Sequence, residues 1–439
     1  MGEKNSVGGN HFVNRDDPRY TAYLRILAEE LVPAMGCTEP ISISFCAAKA
    51  RELLGELPEA ITVAASGNII KNVKSVVVPN TGGRKGIETA AAAGVVAGDP
   101  TRELEVIASV TPEQREVLGR YLETTPIQVI PAETDLVLDV TVTVQARGHS
   151  ACVRVANQHT NIVSMVKDGE TLFETPAVGC GTAPAASPDR ALMDFDDIFD
   201  FADTVDIEDV KPLLDRQIAY NTAISREGLQ GDWGANIGST LLKIYGDDVK
   251  IRARAAAAAG SDARMSGCEL PVVINSGSGN QGMTVSLPVI EYAKELNSPL
   301  ERLYRALTLS NLTAIYQKEG IGRLSAYCGA VSAGASAGAG IAYLLGGGKA
   351  EAAHTIVNAL AITSGIICDG AKPSCAGKIA AAVDAGILGY YMYLNGQEFH
   401  GGDGIISKGI ESTLRNVTRL GKEGMKETDE EIIRIMTGC

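Results

Sequence analysis

Residues 327–378 read YCGAVSAGASAGAGIAYLLGGGKAEAAHTIVNALAITSGIICDGAKPSCAGK, and the rest of the chain is organised around this stretch. It contains Cys328, Cys368 and Cys375 in the spacing C-x39-C-x6-C. Short side chains flank each cysteine, and the Ala/Gly/Ser-rich segments between them are typical of closely packed helices. Gly and Pro next to the cysteines indicate helix ends. We therefore expect the three thiols to lie at helix ends that can meet in the fold.

Three cysteines at helix ends suit a [4Fe–4S] cluster. Taken singly, each cysteine would more often be a small buried apolar residue, and the C-x6-C spacing is not diagnostic of a cluster. A fourth close cysteine is missing from the stretch. One iron would then keep an open coordination site, where it can act as a Lewis acid.

A fourth functional cysteine is predicted far from this stretch, in the sequence MGCTEP at residues 35–40. Cys37 lies just before a helix predicted to start near Pro40. Unpaired N–H groups and the helix dipole at such a position lower the pKa of a thiol. Cys37 is therefore a candidate acid–base thiol or an exchangeable fourth cluster ligand, and an unreactive turn residue is the alternative.

Composition narrows the class of protein. The 439 residues carry a net charge of −14, which argues against nucleic-acid binding. The first twenty residues are polar, and nine cysteines is an odd number, so we expect a cytoplasmic protein whose cysteines are thiols or metal ligands. Residues 326–348 carry no charge over a length that could span a bilayer, but they are mostly Gly, Ala and Ser. We expect a buried helix there and no membrane association.

The hydrophobic period divides the chain. Residues 136–144 alternate apolar and mostly polar side chains, which predicts a half-buried strand in an antiparallel set. Strand signals nearly vanish after residue 178. The predicted fold class is multidomain α+β, with a mainly helical cluster-binding domain and an inserted α+β domain with an antiparallel sheet. The predicted domains are N-terminal helices (1–55) that pack on the helical domain, the α+β domain (56–178) and the helical domain (179–439). Within the last we predict helices at 207–226, 234–245, 250–263, 299–318, 326–346, 352–366, 375–391 and 428–437.

Four motifs in this order carry a family resemblance: MGCTEP (35–40), SGN (66–68), GNQG (279–282) and the three cysteines with GIICDGAK (365–372). The chain resembles the iron–sulfur-dependent L-cysteine desulfidase family, which is distantly related to the α part of bacterial L-serine dehydratases. The resemblance extends over almost the whole chain. It implies a [4Fe–4S] cluster without pyridoxal phosphate, and conversion of L-cysteine and water to hydrogen sulfide, ammonia and pyruvate. It also implies that Cys328, Cys368 and Cys375 ligate the cluster and that Cys37 is catalytic.

The substrate carboxylate needs local hydrogen-bond donors, because the protein as a whole is acidic. The loops at 66–68 and 278–281 could supply them through amide side chains and clustered backbone N–H groups. Serine dehydratases also have a terminal cysteine that can enter the site, which makes Cys439 a second candidate for the exchangeable fourth ligand. His159 and Asn161 follow a predicted strand and could face the same pocket. The predicted substrate-binding residues are Ser66, Gly67, Asn68, His159, Asn161, Gly279, Asn280 and Gln281.

Three other functions stay open. An L-serine dehydratase would use the same cluster and the same elimination with a hydroxyl leaving group. A pyridoxal-phosphate lyase would use residues 276–282 as a phosphate loop, but no lysine stands out for a Schiff base. A non-enzymatic iron–sulfur sensor or carrier would hold a cluster without turnover. As partners we expect a small-molecule substrate, and Ala/Gly-rich helices are compatible with a homodimer.

Overall fold

The structure, a computed structural model, describes residues 13–177 and 189–437. The α-helices are α1 Pro18–Glu30, α2 Thr38–Leu54, α3 Gly67–Val73, α4 Ile87–Ala97, α5 Pro112–Thr124, α6 Phe195–Thr204, α7 Ile207–Gln230, α8 Ile237–Tyr245, α9 Val249–Met265, α10 Gly279–Glu295, α11 Leu300–Ile321, α12 Gly329–Leu344, α13 Lys349–Thr363, α14 Cys375–Leu394, α15 Ile410–Arg419 and α16 Lys426–Thr437. The strands are β1 Pro33–Met35, β2 Ala60–Ala65, β3 Ile127–Pro131, β4 Asp139–Ala146, β5 His149–Ala156, β6 Ile162–Lys167, β7 Glu170–Glu174 and β8 Pro271–Val273.

The larger sheet has the order β3-β2-β4-β5-β6-β7. The prediction of an antiparallel sheet holds for every neighbouring pair except β2 and β3, which run parallel, with Ile61 opposite Ile127. A parallel pair needs a long crossover connection, and α3, α4 and α5 lie between these two strands. The α+β class is confirmed, with a mixed rather than purely antiparallel sheet.

The two N-terminal helices pack on different parts of the fold. Helix α1 packs against α7 and α11, whereas α2 packs against α4, β4 and β5. Sequence alone placed both on the helical part. Helix α2 lies on the sheet because most of its surface is apolar or small, and it is buried nearly all round. Strand β1 pairs antiparallel with β8, which ties this N-terminal segment to the helical part.

Small residues let the later helices approach closely. Helix α12 contacts α10, α11, α13 and α14. A Cβ atom on Gly334 would lie 2.5 Å from the carbonyl of Ala382, and one on Gly386 would lie 2.3 Å from the carbonyl oxygen of Gly334. The charge-free residues 326–348 therefore form a buried helix within this packing. Among the described residues, no helix combines the length and apolar character needed to cross a membrane.

Two predicted loops turn out to be helix starts. The SGN motif opens α3, with Ser66 at the N-cap position. The loop at 276–282 is a tight turn in which Ser276 and Gly277 have positive φ, and it leads directly into α10. The Ser278 side chain accepts a hydrogen bond from the backbone of Gln281, which stabilises the start of that helix. The backbone N–H groups in the first turn of both helices have no partner within the helix and are free to bind other groups.

Candidate active site

The motifs from distant parts of the sequence surround one pocket, which we call the central pocket. Its volume is about 100 Å³, which suits a small substrate better than the drug-sized ligands held by pockets of roughly 300–1,000 Å³. Eight of the residues predicted from sequence line it: Cys37, Asn68, His159, Asn280, Gln281, Cys328, Cys368 and Cys375.

A wider and more open groove of about 610 Å³ lies elsewhere, between Thr134 and Ala177. Among the described residues, no cysteine or histidine lines it. The chemistry-bearing side chains point to the smaller central pocket instead.

Three cysteines meet because two chain segments pair. Tyr327 and Ile367 form an antiparallel bridge, and the backbone N–H of Cys368 donates to the carbonyl of Ala326 at 2.6 Å. Cys328 is the N-cap residue of α12, and Cys375 is the first residue of α14. The hydrogen bond with Cys328 lowers the pKa of the Cys368 thiol to about 6, with Lys71 and Lys318 contributing. The same interaction raises the pKa of Cys328, so one proton is held between the two sulfurs.

Cys37 is the N-cap residue of α2, which begins at Thr38 rather than near Pro40 as predicted, and the shift of its pKa is opposite to the expected one. Burial and the Glu39 carboxylate raise the pKa of Cys37 well above its usual value. Its Sγ donates to Glu39 Oε2 at 2.9 Å. Thr38 Oγ1 and Asn72 Nδ2 also donate to this carboxylate, at 3.2 Å each. The expected lowering of the pKa by the helix end is therefore wrong for this structure, because desolvation and a neighbouring carboxylate outweigh the dipole.

Five helices begin at the central pocket. Helices α2, α3, α10, α12 and α14 start at or next to residues that line it. The N-terminal end of a helix carries unpaired N–H groups and a partial positive charge. Lys318 adds a buried amine whose pKa is lowered to about 8 by burial. A protein of net charge −14 thus has a pocket whose helix ends favour anionic ligands.

Arg264 is a pocket residue that the sequence analysis missed. It lies at the end of α9 and is only 2% exposed. Its Nη1 donates to Asn280 Oδ1 at 3.1 Å, while Nε and Nη2 are buried and have no hydrogen-bond partner. Neither of these two nitrogens contacts a carboxylate of the described residues at hydrogen-bond distance. A cation at the end of the Ala-rich run at 255–263 was the only signal in the sequence.

Two asparagines of α3 present acceptor oxygens to the pocket. Asn68 Nδ2 donates to Asp429 Oδ2 at 2.7 Å, and Asn72 Nδ2 donates to Glu39 Oε1 at 3.2 Å. A carboxylate only accepts hydrogen bonds, so both amide orientations are determined by these partners. The Oδ1 atoms of Asn68 and Asn72 are buried and have no hydrogen-bond partner. Asn72 and Glu39 were not among the predicted substrate-binding or catalytic residues.

His159 faces the pocket as a neutral ring. Burial lowers the pKa of His159 to about 4, and its Nε2 has no hydrogen-bond partner. Ser42 Oγ donates to its backbone carbonyl at 2.7 Å. The turn before α10 approaches it closely, since a Cβ atom on Gly277 would lie 3.1 Å from the ring. The side chain can therefore donate or accept a hydrogen bond inside the pocket without carrying charge.

Several predicted residues lie away from the pocket wall. Asn161 Nδ2 donates to the carbonyl of Ala156 at 2.9 Å, and Ser66 Oγ donates to the carbonyl of Val137 at 3.0 Å. Gly67 packs beside Ile433, and Gly279 lies beside Arg264. Cys439 falls outside the described residues. The residues that the structure does not place at the pocket wall are Ser66, Gly67, Asn161 and Gly279.

The three cysteines are the residue type that holds iron–sulfur clusters. Cys328, Cys368 and Cys375 line one pocket, and thiolates are the usual ligands of a [4Fe–4S] cluster. The pKa of Cys368 is lowered, whereas the hydrogen bond with Cys368 raises the pKa of Cys328 and burial raises that of Cys375. Binding of iron at all three sulfurs would therefore release protons. Within residues 13–177 and 189–437, no group of three or more His, Cys, Asp and Glu side chains is placed to hold one metal ion.

Comparisons with known proteins identify the family of the chain. A family model described as the serine dehydratase alpha chain matches residues 101–434. The UPF0597 protein of Desulfitobacterium hafniense is 61% identical over 97% of this chain and 98% of its own length. The UPF0597 protein of Lachnoclostridium phytofermentans is 54% identical over 95% of this chain and 99% of its own. The UPF0597 protein of Treponema denticola is 46% identical over 96% of this chain and 99% of its own length.

Proposed function

The chain belongs to the serine dehydratase alpha chain family, and from that premise we propose that it is a lyase that removes the β-substituent of a small L-amino acid. We assign L-cysteine as the substrate, with hydrogen sulfide, ammonia and pyruvate as products. The observation that supports this most is the meeting of Cys37, Cys328, Cys368 and Cys375 in one buried pocket at helix starts.

Cys328, Cys368 and Cys375 are the proposed ligands of a [4Fe–4S] cluster. Cys328 and Cys375 lie at helix starts, and Lys71 and Lys318 add positive charge near Cys368. When bound, the cluster supplies an open iron that acts as a Lewis acid toward the leaving sulfur. Cys37 or the terminal Cys439 is the proposed exchangeable fourth ligand in the absence of substrate.

Cys37 and Glu39 form the proposed proton-transfer pair. The thiol proton of Cys37 moves to the Glu39 carboxylate along the existing hydrogen bond, and the resulting thiolate removes the Cα proton. The Cα–H electron pair becomes the Cα–Cβ double bond as the Cβ–S bond breaks, and the departing hydrosulfide takes the proton from Glu39. The aminoacrylate left behind tautomerises to an imine, and water converts it to pyruvate and ammonia.

The other polar residues of the pocket have supporting roles. His159 is neutral and contributes a hydrogen bond without repelling either charged end of an amino acid. Gln281 and Asn280 lie at the start of α10 and border the same space. Because the pocket is small and largely buried, it limits the access of water to the reacting Cα and Cβ atoms.

L-Serine is the second candidate substrate, and the match to the serine dehydratase alpha chain is the observation that favours it. The same residues would act, with a Cβ–O bond breaking instead of a Cβ–S bond. A third, non-enzymatic candidate is an iron–sulfur sensor, which would hold the cluster but release no product.

Anaerobic reconstitution of the full chain with iron and sulfide tests all three. We expect bound iron with a charge-transfer absorbance, followed by sulfide and pyruvate release from L-cysteine at a higher kcat/KM than pyruvate release from L-serine. A higher value for L-serine would reassign the protein as a serine dehydratase. A cluster without turnover of either amino acid would support the sensor, and protein without bound iron would refute the proposal.

A further inference from the structure

We propose that the central pocket binds its substrate by both charged ends: Arg264 binds the α-carboxylate, and Asn68 Oδ1 and Asn72 Oδ1 accept hydrogen bonds from the α-ammonium group. The inference rests on the proposed function for the class of ligand, a free α-amino acid. It assigns roles to residues that carry unsatisfied polar atoms and that the elimination chemistry does not use.

The carboxylate end follows from the state of Arg264. A buried guanidinium with two unpaired nitrogens is costly unless an anion occupies the adjacent space. Among the described residues no carboxylate hydrogen-bonds to Nε or Nη2, and Arg264 is one of the residues that line the central pocket. Nε and one Nη form the edge of the guanidinium that binds a carboxylate through two parallel hydrogen bonds.

The local backbone is shaped for this arginine. Asn280 Oδ1 accepts from Nη1 at 3.1 Å and so limits rotation of the guanidinium. A Cβ atom on Gly279 would lie 2.4 Å from Nε of Arg264, so glycine is the residue that lets the start of α10 lie against this side chain. Asn280 and Gly279, which the sequence singled out as carboxylate binders, thus act by positioning Arg264.

The ammonium end follows from α3. The Nδ2 atoms of Asn68 and Asn72 are committed to the carboxylates of Asp429 and Glu39. Their Oδ1 atoms are left as buried acceptors without donors. An ammonium group has three N–H donors and no acceptor, and it satisfies such oxygens directly. The role of Asn68 is therefore opposite to the one expected from sequence, which was to donate to the substrate carboxylate.

Binding of both charged ends would make the pocket selective for free amino acids. A free amino acid satisfies both sets of unpaired atoms, whereas an amino acid within a peptide has lost both charges. Leaving the unmatched atoms buried without partners disfavours binding of such ligands. The side chain of the substrate is left free for the cysteines.

The test uses three ligands of nearly equal shape and the full chain, reconstituted and kept anaerobic. L-Alanine has both charged ends and no leaving group, L-alaninamide has a neutral amide in place of the carboxylate, and L-lactate has a hydroxyl in place of the ammonium. Calorimetric titration measures the Kd of each. We expect wild-type protein to bind L-alanine roughly 10–100-fold more tightly than either analogue, since each loses a hydrogen-bonded charge.

Variants separate the two ends. Arg264→Gln is expected to lose the preference for L-alanine over L-alaninamide and to keep the preference over L-lactate. Asn72→Leu is expected to do the reverse. Arg254→Gln is the matched control, because Arg254 lies on the same helix and pairs with Asp384 outside the pocket. Arg264→Met, which is also long and carries no charge, replaces Arg264→Gln if the latter does not fold.

Two results would overturn the inference: wild-type protein that does not bind L-alanine, and an Arg264 variant that still prefers L-alanine over L-alaninamide as wild type does. These outcomes are separate from those for the proposed function. Ligand preferences that shift as expected, without product release from L-cysteine or L-serine, leave the binding assignment intact and refute the lyase.

Discussion

At the scale of single residues, the central pocket holds its thiols in two protonation states. The pKa of Cys368 is lowered to about 6, so this sulfur is a thiolate at neutral pH. The pKa of Cys37 is raised well above its usual value, so this sulfur keeps its proton. An ionised thiol such as Cys368 is suited to bind iron, whereas in the proposed elimination Cys37 first passes its proton to Glu39 and only then acts as a base.

Replacing a ligand should remove the cluster. We expect Cys328→Ser to abolish stable iron binding after anaerobic reconstitution and to lower the rate of sulfide release by roughly 100-fold or more, because even indirect changes at metal sites cost 10–100-fold. Iron analysis and the visible spectrum measure the first effect. Cys152→Ser, on β5 and outside the pocket, should leave both quantities unchanged. Full iron content in Cys328→Ser would refute the ligand assignment.

Replacing Glu39, the proposed proton acceptor, should slow the elimination without changing the amount of bound iron. Glu39→Gln keeps the shape of the side chain and its contact with Cys37, but an amide cannot take the thiol proton. We expect kcat for L-cysteine to fall roughly 10²–10⁴-fold, the usual contribution of a general acid–base group, with unchanged iron content. A variant with wild-type kcat would exclude Glu39 from proton transfer.

The residues found from sequence differ in kind from those that were missed. Cys37, Cys328, Cys368 and Cys375 stand out because their residue type and Gly/Pro-rich surroundings are visible in the chain itself. The link to the alpha part of serine dehydratases is also confirmed. Arg264 and Asn72 could not be found this way. Their meaning depends on which of their polar atoms remain unpaired after folding, and that is a property of the tertiary structure.

At the scale of elements, glycines determine how closely α12 and α14 cross. Ala is the better helix former by about 1 kcal/mol, yet a methyl group on Gly386 would meet the backbone of Gly334 at 2.3 Å. We expect Gly386→Ala to lower the free energy of unfolding by roughly 1–3 kcal/mol through overpacking. Gly377→Ala, on the same helix with open space around it, should be neutral or stabilising. Equal effects in thermal or denaturant unfolding would contradict this packing.

Helix α8 depends on a capping group from its neighbour. Asp262 of α9 accepts from the backbone N–H of Gly238 at 3.1 Å, and its Oδ1 is buried without a partner. Burial raises the pKa of Asp262 from 3.8 to about 6. The folded state therefore favours the protonated acid, and stability is lost as the pH rises from about 4 to 6.

The variant Asp262→Asn should remove this pH dependence. It keeps an acceptor for Gly238 and carries no charge, so we expect it to be more stable than wild type at pH 8 by roughly 2–3 kcal/mol, and equal to it below pH 4. Thermal melts across this range measure the difference. Asp262→Ala is the control, since it also loses the charge but should be less stable than Asp262→Asn by about 1 kcal/mol without the cap. A constant difference between wild type and Asp262→Asn at all pH values would contradict the raised pKa.

The elements of the later chain were well predicted because they are long, Ala-rich and punctuated by Gly and Pro. The predicted helix at 375–391 corresponds to α14, and the one at 299–318 to α11. Helix α10 was missed because its start looks like a Gly-rich loop and Pro288 interrupts it. The parallel pairing of β2 and β3 could not be inferred either, since it depends on contacts between distant segments. The division at residues 55 and 178 stays a prediction.

At the scale of the whole molecule, helix α16 supports the pocket from outside through its contacts with α3. Lys71 of α3 has a side chain only 1% exposed and pairs with Asp429 of α16. Asp429 also orients Asn68, and Lys74 Nζ donates to the carbonyl of Met436 at 2.7 Å. The α3 side chains that line the pocket are thus held from behind by the end of the chain.

Breaking this contact should loosen both helices together. Asp429→Ala leaves a buried ammonium without its partner, and we expect a loss of roughly 3–5 kcal/mol in stability, with faster amide exchange in α3 and α16. Glu431→Ala on the same helix removes a solvent-exposed pair with Arg434 and should change stability by less than about 1 kcal/mol. Unchanged exchange in α3 of Asp429→Ala would show that α16 does not support the pocket wall.

The tie between Lys71 and Asp429 also bears on the order of folding. It joins two residues that lie 358 positions apart in the sequence, and contacts between such distant segments are slow to form. During translation α3 leaves the ribosome long before Asp429 does, because domains are synthesised and fold from the N-terminus. The support of α3 is therefore complete only after α16 has been made and has docked.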